Sequence, residues 1–115
     1  MKILIILNEA PYGNERPYNG LRLATALANR EDCQVSVFLN ADAVFCAKDG
    51  QEPPKGYYSI EVMLNTVLRK GAVYLCGTCM QARAMNDMEI LEGCKRSTME
   101  ELARLTVEAD RVINY

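Results

Sequence analysis

Histidine is missing from the chain altogether, and that absence excludes more chemistry than any other feature of the composition. Without it there is neither the commonest general base nor the commonest transition-metal ligand. Ser-His-Asp and Cys-His catalysis within one chain are therefore ruled out. An excess of positive charge is missing too. Thirteen Lys and Arg stand against fifteen Asp and Glu, for a formal net charge of -2, so no basic nucleic-acid face is advertised and no direct nucleic-acid partner is expected. No apolar run approaches the length that spans a bilayer. The first run, Ile3–Leu7, stops at Asn8 and Glu9, too early for the apolar region of a signal peptide. Neither secretion nor a membrane partner is expected. The five cysteines are odd in number, which argues against a disulfide scaffold and for reduced thiols in a cytoplasmic protein. Chemistry is left to thiols, carboxylates or an added cofactor.

What is present fits a single globular domain over residues 1–115. Half of the chain is hydrophobic and 24% is charged, enough for a core without metal or disulfide staples. Three apolar runs read as strands: Lys2–Leu7, Gln34–Leu39 and Ala72–Cys76. Their continuous rather than alternating character predicts parallel strands covered on both faces. A fourth candidate is Arg111–Tyr115. Between them lie helical stripes. Leu21, Ala24, Leu27 and Ala28 mark a helix over Gly20–Asn29, after a loop that runs from Asn8 to Pro17. Asp42–Ala47 suits a short helix. Ser59 is placed to cap a helix carrying Ile60, Met63, Leu64, Val67 and Leu68, with Gly71 as the left-handed residue after its end. Ser97 or Thr98 caps the last helix, which buries Leu102, Leu105 and Ala109. The segment 86–96 is compatible with a helix or a short extra strand. This order predicts an open α/β sheet with helices on both faces.

The strongest local signal is Cys76-Gly77-Thr78-Cys79, a CxxC motif at the end of the third strand. Ligands of open α/β sheets bind beyond the carboxyl ends of the strands. If Cys79 opens a helical turn, its thiol gains from the positive end of the helix and loses its proton more readily. Arg83, one turn further on, adds positive potential on the same face. A thiolate is the species that attacks sulfur, so the arrangement suits sulfur or disulfide chemistry. Four readings are open: buried structural cysteines, a redox disulfide pair, half of a zinc site, or a persulfide carrier. Zinc wants a second closely spaced pair, whereas Cys33, Cys46 and Cys94 are scattered. Cys33 and Cys46 read as structural. Cys94 is read as part of a solvated turn, the alternative being a thiol whose pKa Lys95 and Arg96 lower.

The loop Asn8–Arg16 also leaves a strand at its carboxyl end. It overhangs Cys76 if the first and third strands are neighbours, which makes Tyr12, Glu15 and Arg16 candidate pocket residues. Its alternative is an ordinary turn with solvated charges, and it lacks the glycine spacing of a phosphate loop. Met80, Met85 and Met88 are core filling or an apolar contact surface.

Three stretches carry a resemblance: KILIILNEAPYGNERPYNGLRLATALA at the start, VYLCGTCMQAR in the third quarter, and STMEELARLTVEADRVINY at the end. Together they resemble the DsrE/DsrF-like sulfur-relay family, and within it the branch of small YchN-type proteins. The resemblance implies a three-layer α/β/α fold around a mainly parallel sheet of about five strands. It implies self-association as a trimer or hexamer. It also implies sulfur carried as a persulfide on the cysteine that ends the third main strand, here Cys76, between sulfur donor and acceptor proteins. Cys79 matches the second thiol of the YchN-type motif, where relay members often have another residue. The family motif often has Gly after the Arg, and here Ala84 follows Arg83. On this reading Cys76 and Cys79 are the catalytic candidates, and Tyr12, Glu15 and Arg83 the binding ones. No cofactor is expected, since the transfer requires no metal, flavin or nucleotide. The alternatives are a non-catalytic oligomeric subunit, a binding module of the same fold, or a CxxC thiol-disulfide protein.

Overall fold

The computed structural model describes residues 1–115. Five strands form one all-parallel sheet: β1 (Lys2–Leu7), β2 (Gln34–Leu39), β3 (Ala72–Cys76), β4 (Lys95–Ser97) and β5 (Arg111–Asn114), in the order β4-β3-β2-β1-β5. Four α-helices join them: α1 (Arg16–Ala28), α2 (Ile60–Leu68), α3 (Gly77–Ala82) and α4 (Met99–Glu108). The apolar runs are unbroken because both faces of the central strands are covered. Ile3, Ile5, Leu7, Val35, Val37, Leu39, Val73 and Leu75 enter a large core with Leu21, Ala24, Leu64 and Val67 of α1 and α2. The alternate residues Leu4, Phe38 and Cys76 enter a smaller cluster under Leu102 of α4. The result is the expected three-layer α/β/α arrangement. Each fully buried Leu or Ile in it contributes roughly 1.5–3 kcal/mol relative to exposure.

Several local expectations are refined. Helix α1 begins at Arg16 rather than Gly20, because Pro17 falls in the first turn, where its missing N–H costs nothing. Residues Ala41–Ala47 form a 3-10 helix. Ser59 caps α2 as expected, its hydroxyl accepting the Val62 N–H at 3.3 Å. Gly71 is not a left-handed cap. It is needed because a Cβ there would lie 2.9 Å from the Val35 carbonyl oxygen, so any side chain would push β3 away from β2. Thr98, not Ser97, caps α4, and its hydroxyl accepts the Glu101 N–H at 3.1 Å. The undecided segment 86–96 holds both a 3-10 turn, Asp87–Glu89, and the short strand β4.

The topology singles out one edge. Strand β3 exits into α3, whose Met80 is buried in the large core. Its neighbour β4 exits into α4 on the opposite face. In open α/β sheets ligands bind beyond the carboxyl ends of the strands. Cys76 and Ser97 stand there side by side, paired in register.

Candidate functional site

The site is built on the turn from β3 into α3. Cys76 ends the strand and is also the N-cap of the helix, so its side chain meets backbone N–H groups that the first helical turn leaves unpaired. The Cys79 N–H donates to Cys76 Sγ at 3.3 Å. The Thr78 hydroxyl lies 3.3 Å from the same sulfur. Burial pushes the Cys76 thiol up, but the Cys79 thiol, the Thr78 hydroxyl and the N–H groups of both residues more than offset it. The net pKa lies below the ordinary thiol value. Cys79 moves the other way. Burial raises its thiol first, and the adjoining Cys76 sulfur raises it further. The stabilised thiolate is therefore Cys76, not the Cys79 of the helix-start expectation, because the N-cap of α3 lies three residues before Cys79.

Cys79 is anchored from the next strand over. The Ala41 N–H, just beyond the end of β2, donates to Cys79 Sγ at 3.3 Å. Ala41 holds φ at +50°, a left-handed conformation that an L-residue adopts only under constraint. Beside it, the Asn40 Oδ1 is buried and has no hydrogen-bond partner. Arg83 does not touch either sulfur. Its Nη1 donates to the Cys79 carbonyl at 3.1 Å, and its Nε pairs with Asp42 at 2.9 Å. It clips the end of α3 to the 3-10 helix and adds only a minor downward pull on Cys79. On the other flank, the Arg96 Nη2 donates to the Gly77 carbonyl at 3.2 Å. No backbone space is left between Gly77 and β4, since a Cβ on Gly77 would lie 2.9 Å from the Ser97 carbonyl oxygen. The Ser97 hydroxyl donates to the Glu101 carboxylate at the start of α4.

The other candidates are placed elsewhere. Strand β2 lies between β1 and β3, so the loop after β1 does not overhang Cys76. Tyr12 turns instead toward the segment before α2. Its hydroxyl donates to Gln51 Oε1 at 3.0 Å and accepts the Ile60 N–H at 3.2 Å. Glu15 is exposed at the start of α1, near enough to Tyr58 to help raise its hydroxyl pKa after burial and Tyr57 have done so. Cys46 is wholly buried, and desolvation pushes its thiol up to about 12. Cys94 is not in a solvated turn. It packs against the large core, and burial raises it to about 12 despite its basic neighbours. Cys33 is half-buried next to Asp32. Met80 and Met85 are core residues, whereas Met88 is 92% exposed.

Sequence reasoning missed Thr78 and Ala41. Thr78 had a readable signal, a hydroxyl two residues after a thiol at a strand-to-helix turn. Ala41 had none, because its role depends on strand order. No three acidic or thiol side chains converge as a metal-binding group. No helix is long and apolar enough to cross a membrane. The three principal cavities are lined by neither Cys76 nor Cys79, and Cys76 is only 3% exposed.

Comparisons with known proteins match this architecture. The model of the DsrE/DsrF-like family matches residues 1–115. Protein YchN of Escherichia coli K12 is 39% identical over 116 residues, covering 99% of this chain and 98% of that protein. An uncharacterized protein of Methanocaldococcus jannaschii is 37% identical over 116 residues, covering all of both. The crystal structure of the E. coli YchN protein superposes with a TM-score of 0.93, covering 99% of this chain and 98% of that one. A protein of unknown function from Methanobacterium thermoautotrophicum shares the fold, with a TM-score of 0.76 at 15% identity over 99% of this chain and 98% of that one.

Proposed function

Because the chain belongs to the DsrE/DsrF-like family, we propose that it handles sulfane sulfur, carrying it as a persulfide on Cys76 between donor and acceptor thiols in the cytoplasm. The observation that carries this reading is the set of donors converging on Cys76 Sγ: the Cys79 N–H and the Thr78 hydroxyl, both at 3.3 Å. These stabilise a thiolate at the carboxyl edge of the sheet, where the fold places ligands.

The chemistry balances without a cofactor. The Cys76 thiolate attacks the outer sulfur of a donor persulfide. The donor's S–S bond breaks, the donor leaves as a thiolate, and Cys76 holds the new S–S bond. An acceptor thiolate then takes the outer sulfur and returns Cys76 to its thiolate. No net oxidation occurs. Cys79 supplies an N–H and a thiol to the sulfur that changes charge. Arg83 acts as a positioning residue through Asp42. The donor and acceptor are proteins in this reading, and the carrier works as a trimer or hexamer.

The 3% exposure of Cys76 favours a second reading. In it Cys76 is a closed thiol of a non-catalytic subunit or binding module, or one half of a Cys76–Cys79 redox pair. Alkylation of the native protein separates the readings. Carriage predicts labelling of Cys76 near neutral pH, lost in Cys76→Ser. Labelling only after denaturation supports the closed thiol. A reversible Cys76–Cys79 disulfide at a defined potential, with no persulfide formed from a sulfur donor, supports the redox pair.

A further inference from the structure

Four of the six tyrosines gather away from the thiols. Tyr57 stacks on Tyr58 at 4.8 Å between ring centroids, and Tyr12 leans on both at 5.9 and 5.7 Å. Tyr18 backs Tyr58 at 4.6 Å. Beside them is a cavity of about 350 Å³ lined by Tyr12, Gln51, Glu52, Pro53, Pro54 and Tyr57. It lies where the loops after β1 and after the Ala41–Ala47 helix meet, again at the carboxyl edge of the sheet.

The cavity is built rigidly. The Tyr12 hydroxyl is held from both sides, by Gln51 and by the Ile60 N–H. The Gln51 amide is spent on the Cys46 and Lys48 carbonyls at 2.9 Å each. The N–H groups of Gly50 and Gln51 are both held by Glu61 Oε1. The Tyr57 N–H is bound to the Pro54 carbonyl. The Tyr12 hydroxyl and the Gln51 amide are thus already spent within the chain. The rest of the lining is Tyr57, two prolines and one acidic residue, Glu52, and the cavity surface is mostly apolar. That carboxylate, Glu52, has no ion-pair partner in the chain, and the unpaired Glu15 lies on the far side of the same rings. Lys55 is exposed and outside the lining.

An anion is repelled by the charge of Glu52 in the lining. A neutral molecule of the same shape gains from the rings and prolines but nothing from the Glu52 charge. A cation with an apolar skin gains from both walls, because ring faces carry negative quadrupole charge and Glu52 adds a full one. We propose that this tyrosine- and proline-walled cavity is a binding site for a small organic cation of the alkylated-ammonium type. Its volume lies within the range of small-ligand sites, and it is a pit of six residues rather than a groove for a chain. The site is independent of the sulfur chemistry proposed for Cys76.

The chain has six tyrosines and no tryptophan, so its intrinsic fluorescence is tyrosine fluorescence and the cluster dominates the count. Titration of the full-length protein with choline at constant ionic strength, read by that fluorescence and by calorimetry, tests the proposal. Expected are saturable binding and weaker binding of the uncharged tert-butyl isostere. Tyr57→Ala, at an exposed position, is expected to lower affinity about tenfold, and Glu52→Gln several-fold. Absence of saturable choline binding overturns the proposal. So does equal affinity for the isostere, or an affinity unchanged in Tyr57→Ala. An unchanged affinity in Glu52→Gln removes the charge recognition on which the choice of a cation rests.

Discussion

Replacing Gly77 by alanine perturbs the turn that presents Cys76 by one methyl group. The added Cβ would lie 2.9 Å from the Ser97 carbonyl oxygen, 3.1 Å from the Arg96 Nε and 3.4 Å from the Arg96 Cγ. The Arg96 side chain can swing aside, although it would give up its bond to the Gly77 carbonyl. The Ser97 carbonyl cannot, because it belongs to β4, which is paired with β3 at Cys76–Ser97. Forcing a methyl into such a space costs about 1–3 kcal/mol. Alanine is the better helix former by roughly 0.5–1 kcal/mol, and Gly77 is the first residue of α3, so part of that cost is offset. The net expectation is a loss of about 1–2 kcal/mol. At about 2.1 cal/mol/K of unfolding entropy per residue, a chain of 115 residues then melts about 4–8 °C lower. Thermal and urea unfolding measure the loss. Displacement of the turn also weakens the N–H contact from Cys79 to Cys76, so alkylation of Cys76 near neutral pH slows relative to wild type. An unchanged melting temperature with unchanged alkylation would refute the tight β3–β4 junction as the element that places this thiol.

Three further outcomes follow from the same geometry. Thr78→Val removes one donor to the Cys76 sulfur, and an interaction worth about 1 kcal/mol corresponds to about fivefold slower alkylation of Cys76 near neutral pH, measured by mass spectrometry of digests. Ala84 holds φ at +53° just past the end of α3, so Ala84→Gly relieves a left-handed strain of roughly 1–2 kcal/mol against a smaller entropic cost. A gain of about 0.5–1 kcal/mol in urea unfolding is expected, and a loss would contradict it. Cys46 and Cys94 have folded pKa values raised to about 12 from 9.0, so the stability they contribute is complete below pH 9 and is lost as pH rises toward 12. Unfolding free energy measured across that window should fall less steeply in Cys46→Ala than in wild type.

The parts of the fold legible in the sequence were those whose signal is local. Strands β1, β2 and β3 are apolar on both faces, and each stands out as a run. Ser59 shows as a cap because its oxygen reaches only three residues along. Strand β4 is Lys95-Arg96-Ser97, a three-residue edge strand with two exposed charged side chains, so no apolar pattern marks it. Strand order is a long-range property and was not legible: β2 lies between β1 and β3, so the condition under which the loop after β1 would overhang Cys76 is not met, and Tyr12 lines a cavity elsewhere. The CxxC motif pointed to the right turn. Which of its two thiols gains the N–H groups depended on which residue caps α3, and a cap at Cys76 gives that benefit to Cys76 rather than Cys79. Ala41 reaches Cys79 only because β2 ends beside β3, and nothing around residue 41 announces it.

Sulfur carriage by Cys76 meets its most direct test in intact-mass analysis after incubation with a persulfidated donor, comparing wild type with Cys76→Ser and Cys79→Ser. The predicted result is a gain of one sulfur atom in wild type and in Cys79→Ser, removed by a downstream thiol, and no gain in Cys76→Ser. A wild-type protein that takes up no sulfur under conditions in which the donor loads other thiols, or a Cys76→Ser variant that loads as fully as wild type, would contradict it.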